Sequence, residues 1–485
     1  MTKFRFSAIL AIVLASVASA QGQTNYYWNG GSVNAVASWG TNTDGSGTNP
    51  TNFTTADQLF NFQTGQSATL GGAWTVSGTN SRVVVQTGAT FNAANINPTL
   101  TVNLQSGSTY QLAGTTYNQL GFGTIDANST FLFGGSSGFR PTGVYGNFVN
   151  QATATINPSA NFTTLGDLQQ SSASEFRFTS NTALTGVNIG RDLIVDATRT
   201  LNLTNGTGNV VVNIARNLTN SGTISKGGTG AATLNFSGTG TGAATWGTFG
   251  TAATAVTVTV ANGRTVTFAD NFNTSATRGV TNNGTLNVGS GATLGGTGTV
   301  GGATAPIVLA SGNVRGGDGT GVGTLTLTNG LTLAPNANVG VRIATSGTGG
   351  VAADSGGSTD GTVPNPTNHS FVNVTGGVLD ADPTQLNLMI DGTGATFTDG
   401  LVYSYRIGQV AGQDLSGVSI TDQSKFTAVG FGASNFSVTG DTGGVLYLNF
   451  TAAPVPEPAS ILALAAGALG LGGYARRRVR RPVAV

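Results

Sequence analysis

Apolar and polar residues alternate along many short segments of this 485-residue chain. Val256-Thr257-Val258-Thr259-Val260 alternates without a break, and so does Thr324-Leu325-Thr326-Leu327-Thr328. A period of two sends the Val and Leu side chains to one face of a strand and the threonines to the other. Threonine is β-branched and suits a pleated face turned to solvent. Asn262-Gly263 and Asn329-Gly330 supply turns that need positive φ.

Some of these segments recur. Val187-Asn188-Ile189-Gly190-Arg191-Asp192-Leu193 returns 25 residues later as Val212-Asn213-Ile214-Ala215-Arg216-Asn217-Leu218, and a fainter copy, Leu165-Gly166-Asp167-Leu168, lies one period earlier. Looser units follow at Gly284-Thr285-Leu286-Asn287-Val288 with Gly291-Ala292-Thr293-Leu294, and at Gly323-Thr324-Leu325-Thr326-Leu327 with Gly330-Leu331-Thr332-Leu333. A unit of this size with two or three short strands predicts one coil of a right-handed parallel β-solenoid (β-helix), in which neighbouring coils bury each other's apolar faces. At about 25 residues per coil, residues 76–350 would give roughly eleven coils and a rod on the order of 50 Å. The alternative is a set of β-sandwich modules, for which Asn-Gly between two strands would close a hairpin.

The flanks differ from this repeat region. Residues 21–75 concentrate aromatic side chains, namely Tyr26, Tyr27, Trp28, Trp39, Phe53, Phe60, Phe62 and Trp74. They predict a cap over the first open edge of the solenoid, with a sugar-stacking platform as the functional alternative. A Gly/Ser/Asp-rich linker, 351–365, precedes a closing β-module at 366–452 that has longer apolar runs, such as Leu386-Asn387-Leu388-Met389-Ile390.

Composition narrows the function. Charged residues make up only 8% of the chain, against about 25% in ordinary soluble domains. Its 75 glycines follow no Gly-X-Y period, which excludes collagen. The alternating Val, Leu, Phe and Thr runs argue against a disordered chain. Setting aside two basic residues at the start and five at the end leaves 13 basic against 18 acidic residues between Gln21 and Pro454. No nucleic-acid partner is expected of such a surface. Glu175 is the sole glutamate before the last 33 residues, so a long helical domain is not expected either. With no cysteine, stability must come from burial and strand ladders, not disulfides.

Both ends carry targeting patterns. Lys3 and Arg5 precede an apolar run from Ser7 to Val17, and Ala18-Ser19-Ala20 supplies a small-residue cleavage box before Gln21. Residues 1–20 are therefore expected to be a signal peptide for the Sec export machinery, cut between Ala20 and Gln21. Residues 453–485 contain Val455-Pro456-Glu457-Pro458-Ala459-Ser460, then an uncharged stretch from Ala459 to Ala475, then Arg476, Arg477, Arg478, Arg480 and Arg481. The uncharged stretch is at the lower limit for one transmembrane helix, and the arginines would stay on the cytoplasmic side. This order closely resembles the PEP-CTERM sorting signal of exopolysaccharide-producing Gram-negative bacteria. The resemblance implies an exosortase-type membrane enzyme that reads Pro-Glu-Pro and processes the precursor. The repeat units, and Gly284 to Val300 above all, resemble autotransporter-associated β-strand repeats. Trp28-Asn29-Gly30-Gly31 with Trp39, Asn52-Phe53 and Asp57 resembles the segment that commonly precedes them. The chain ends in arginines instead of the alternating strands of a membrane barrel, so autotransporter secretion is not expected.

Candidate chemistry is sparse. His369 is the one side chain able to act as an acid/base at neutral pH, and Asn365-Pro366-Thr367-Asn368-His369-Ser370 reads as a solvated loop. Asp380 and Asp382 form the one close acidic pair, in what reads as a turn. Gly316-Gly317-Asp318-Gly319-Thr320-Gly321 has a passing likeness to calcium-binding repeats, but one aspartate cannot supply six to eight oxygens. No serine-hydrolase elbow or phosphate loop occurs. No catalytic residue, metal or cofactor is expected. The expected function is a structural or adhesive protein of the cell surface or extracellular matrix, in weak multivalent contact with extracellular polysaccharide. The alternatives are a β-solenoid carbohydrate-active enzyme and a glycan-binding module built on the N-terminal tryptophans.

Overall fold

A computed structural model describes residues 22–453 except 95, 97, 114–120, 137–138, 250–255, 276–277, 303–306, 310–311, 318–320, 345–368 and 383–384. The expected signal peptide, with Ala18, Ala20 and Gln21, lies outside the described residues, as do the 351–365 linker and residues 454–485 of the sorting tail. The described chain is all-β, with only 3-10 turns as helix, and divides into two compact units at Val266/Thr267.

In the first unit, nearly every strand pairs in parallel with a strand one repeat earlier. One sheet runs through Asn147–Asn150, Leu168–Gln170, Leu193–Val195 and Leu218–Asn220, and another through Phe162–Thr164, Leu184–Ile189, Val210–Ile214 and Ala232–Phe236. The register explains the repeat in the sequence. Val187 sits opposite Val212, Asn188 opposite Asn213, Ile189 opposite Ile214 and Leu193 opposite Leu218. Parallel in-register stacking at about 4.8 Å sets like on like, so a recurring residue type meets its own copy.

The interior is a set of such rows. Phe91, Tyr110, Phe131 and Phe148 are register partners on four successive coils, with ring centroids 5.4, 5.9 and 5.3 Å apart. The row continues as Leu168, Leu193 and Leu218, so rings give way to branched aliphatics. All seven side chains are buried, and each contributes about 1.5–3 kcal/mol. One polar side chain that enters the core, Gln170, is fully paired. Gln170 Nε2 donates to the carbonyls of Ser174 and Thr200 at 2.7 and 3.1 Å, and its Oε1 accepts from Asn150.

At the start of this unit, Trp39–Gly40 pairs antiparallel with Thr24–Trp28, which then opens a parallel sheet through Gln58–Phe62, Arg82–Val85, Thr101–Leu104 and Gly121–Ile125. Trp39 is fully buried, stacks on Trp74 at 5.6 Å and donates from Nε1 to the Val33 carbonyl at 2.8 Å. Trp28 is half-buried. Two of the three tryptophans therefore face the core, where a sugar cannot stack on them.

The second unit is also built largely from parallel strands. One of its sheets comprises Phe272–Thr274, Thr293–Gly296, Asn313–Arg315, Asn338–Arg342, Asn387–Asp391 and Phe426–Val429. Thr324–Leu327 and Leu331–Leu333 fall in different sheets, so Asn329-Gly330 turns a corner between them and closes no hairpin. Gly330 has φ of +91° there, a value that favours glycine. The pattern departs from parallel coils after Val402–Val410. Val445–Ala453 and Gly432–Gly440 pair antiparallel, and Ser419–Ile420 adds to Gly432–Gly440. The parallel sheets of each unit are compatible with a β-solenoid. Among the described residues, no helix is long and apolar enough to cross a membrane.

Candidate functional surfaces

The polar residues of the 25-residue repeat stand at one corner of successive coils. Asn147 Oδ1 accepts the backbone N–H of Asp167 at 2.9 Å, and Asp167 Oδ1 accepts that of Asp192 at 3.0 Å. Asp192 Oδ1 accepts the N–H of Asn217 at 3.0 Å, and Asn217 Oδ1 accepts that of Ala243 at 2.9 Å. Each side chain thus holds the next coil. Arg216 adds a fork onto Asp192, with Nε and Nη2 at 2.7 and 2.6 Å, and Arg191 lies 3.3 Å from Asp167. Partial burial opposes ionisation of Asp192, but Arg216 and the two Asn217 donors outweigh it and keep its carboxyl below the usual range. Stacked carboxylates on adjacent coils are the pattern that polysaccharide cleavage would need. Both oxygens of Asp192 and Oδ1 of Asp167 are committed to guanidinium and backbone donors, which is stapling chemistry.

A second row faces outward. Thr163, Asn188, Asn213, Asn235 and Thr259 are register partners on consecutive coils. Asn213 Nδ2 donates to Asn188 Oδ1 at 2.8 Å, and Asn235 Nδ2 to Asn213 Oδ1 at 2.8 Å. The amides orient one another along the stack, which leaves a regular strip of amide and hydroxyl groups at the surface. Asn188 and Asn213 belong to the sequence repeat, which by itself does not say which face they take. Their signal was the same 25-residue offset, and Asn235 follows after a coil of 22 residues.

Three expectations about isolated residues need correction or completion. His369 was expected in a solvated loop, yet it is fully buried. Its backbone bridges to Ile343, its ring lies 5.4 Å from that of Tyr405, and Nε2 donates to the Arg406 carbonyl at 2.6 Å. A carbonyl only accepts, so the Nε2 nitrogen carries a proton. Asp380 was expected in a turn but lies in Leu379–Ala381, opposite Thr332, with its side chain exposed. Only Asp382 begins the turn, and it accepts from Gln385 Nε2 at 2.7 Å. In the glycine-aspartate string, Gly317 and Gly296 exchange backbone bonds of 2.9 and 2.6 Å, whereas Asp318 lies outside the described residues.

The sorting residues Val455, Pro456, Glu457, Pro458, Ala459 and Ser460, and the basic residues Arg476, Arg477, Arg478, Arg480 and Arg481, also lie outside the described residues. Residues 454–481 match the PEP-CTERM protein-sorting motif. That motif suggests an exported protein sorted by exosortase, membrane-anchored before processing. Neither the curated proteins nor the solved structures contain a match to the chain.

Proposed function

We propose that the chain is an exported structural or adhesive protein, released or transferred by an exosortase-type enzyme and associated at the cell surface or in the matrix with extracellular polysaccharide. In this reading a right-handed β-solenoid, resembling autotransporter-associated repeats, displays amides and hydroxyls and performs no catalysis. The match at 454–481 carries the reading, because it couples the β-rich chain to a sorting route. The outward Thr163–Asn188–Asn213–Asn235 strip supports the adhesive part, since repeated weak contacts multiply along a polymer.

The test acts on the tail. Proline fixes φ near −65°, so Pro456-Glu457-Pro458 would present Glu457 on an extended segment that an enzyme can read and a bare anchor does not need. Replacing the three residues by alanine should trap a full-length, membrane-bound precursor on an immunoblot of membrane and medium fractions. Shortening and release equal to wild type would reject sorting at this site.

A further inference from the structure

The parallel strands of the second unit end around an apolar cavity of about 180 Å³. Three sheets converge on it, one through Leu331 and Leu333, one through Val372 and Val374, and one through Val339. Val339 marks the space. Its register partners Val314 and Leu388 are buried, as is Val341 on its own face, whereas Val339 keeps accessible surface in the same row. The Leu379–Ala381 strand ends one of the sheets, and the Gln413 amide closes its edge as a further strand would. Gln413 Oε1 accepts the Leu379 N–H at 2.8 Å, and Nε2 donates to the Leu379 carbonyl at 3.1 Å. Leu415, two residues on, is buried against the cavity.

Gly408 widens the space. It lies inside Val402–Val410, opposite Val372, just after a register shift in that strand. Its φ is not positive, so the backbone does not require glycine there. A Cβ would meet the Val372 carbonyl oxygen at 3.4 Å and Leu446 Cδ1 at 3.6 Å, which are ordinary contacts. A strand-interior glycine with room for a side chain gives up stability and leaves space for another group to approach.

We propose that the cavity binds a single alkyl chain of about six carbons, carried by a small amphiphile with an uncharged head. An apolar cavity of about 150 Å³ stays dry and holds a six-carbon ring. Left empty, a space of this size forfeits packing contacts along its whole lining. Among the described residues its lining is aliphatic apart from Gly408, Gly417, Gln409, Gln413 and Asp414, with no aromatic face to stack a ring, so branched walls meet a chain. Asp414 is exposed where the lining meets solvent, and its carboxylate disfavours an anionic head. The site is independent of the proposed contact with polysaccharide.

The exported protein is titrated calorimetrically with 1-alkanols from 1-butanol to 1-decanol. Affinity should rise about fourfold per methylene as far as 1-hexanol or 1-heptanol and then stop rising, because longer chains leave the cavity. Hexanoate should bind more weakly than 1-hexanol. Val374→Phe places a ring in the space and should abolish 1-hexanol binding. Gly408→Ala should melt at least as high as wild type and shorten by about one carbon the chain at which the gain stops. This second variant decides the matter if Val374→Phe does not fold. No binding by wild type, a gain that continues through 1-decanol, hexanoate binding equal to that of 1-hexanol, or 1-hexanol binding unchanged in a folded Val374→Phe would overturn the site. Gly408→Ala melting well below wild type would mean that the space is already filled, and would overturn it as well.

Discussion

Replacing Asp192 tests whether the repeat motif is a coil-to-coil staple. Asp192→Ala removes the acceptor of the half-buried Asn217 N–H, a bond of 3.0 Å, and both bonds from Arg216. A backbone hydrogen bond is worth about 1 kcal/mol net, and an exposed ion pair adds up to about 1 kcal/mol. The cost should therefore be about 2 kcal/mol, concentrated at the junction of these coils because a stacked array transmits stability only to its neighbours. Asp192→Asn keeps an amide oxygen in place, as Asn147 and Asn217 do at the same corner, and should cost about 1 kcal/mol or less. Amide hydrogen exchange resolved at Asn217 reads the difference. Exchange there should accelerate roughly thirtyfold in Asp192→Ala and a few-fold in Asp192→Asn, since 1.4 kcal/mol is a factor of ten. Equal acceleration in both variants would assign the effect to charge alone, and wild-type exchange in Asp192→Ala would refute the staple.

Other consequences are narrower. Because the Asp192 carboxyl is held below its usual range when folded, its contribution is complete above the unfolded value near 3.9 and fades as pH falls through the lower folded value. An acid titration of Asn217 exchange should therefore lose a step below about pH 4 in Asp192→Asn. Trp39→Ala should cost about 3–5 kcal/mol and Trp39→Phe less, read from urea unfolding followed by tryptophan fluorescence. Gly190→Ala should cost about 1–3 kcal/mol in the same assay, since a Cβ there would lie 2.3 Å from the Leu165 carbonyl oxygen. Ala215→Gly, at the matching position one coil on, should change stability by less than about 1 kcal/mol.

The fold was legible where the physics is periodic. Thr/Val alternation identified strands, and the 25-residue offset of Val187–Leu193 became the register in which Ile189 meets Ile214 and Leu193 meets Leu218. Local turn chemistry was less informative. Asn329-Gly330 is a real turn, but a turn residue does not say whether the next strand folds back or rounds a corner. His369 and Asp380 were misplaced for a related reason. Their neighbours, Asn368 and Pro383, are turn formers, whereas their own positions are fixed by residues far along the chain, Arg406 and Thr332.

The candidate surfaces divide along the same line. The staple and the outward asparagines repeat at one coil's spacing, so the sequence carried their signal even though it could not say which face they take. The Arg342–Asp391 ion pair has no period to read. Arg342 and Asp391 are 49 residues apart, about two coils in sequence but adjacent strands in space, because a long insertion separates them. Amides and hydroxyls carry no net charge, so contacts that the outward row makes with a polymer should persist in salt, where attraction between charges is screened within about 10 Å at 0.1 M. Polysaccharide binding that resists salt and is lost when Asn188 and Asn213 are replaced by alanine would assign the contact to this row. Binding that falls steeply with salt and survives both replacements would refute it.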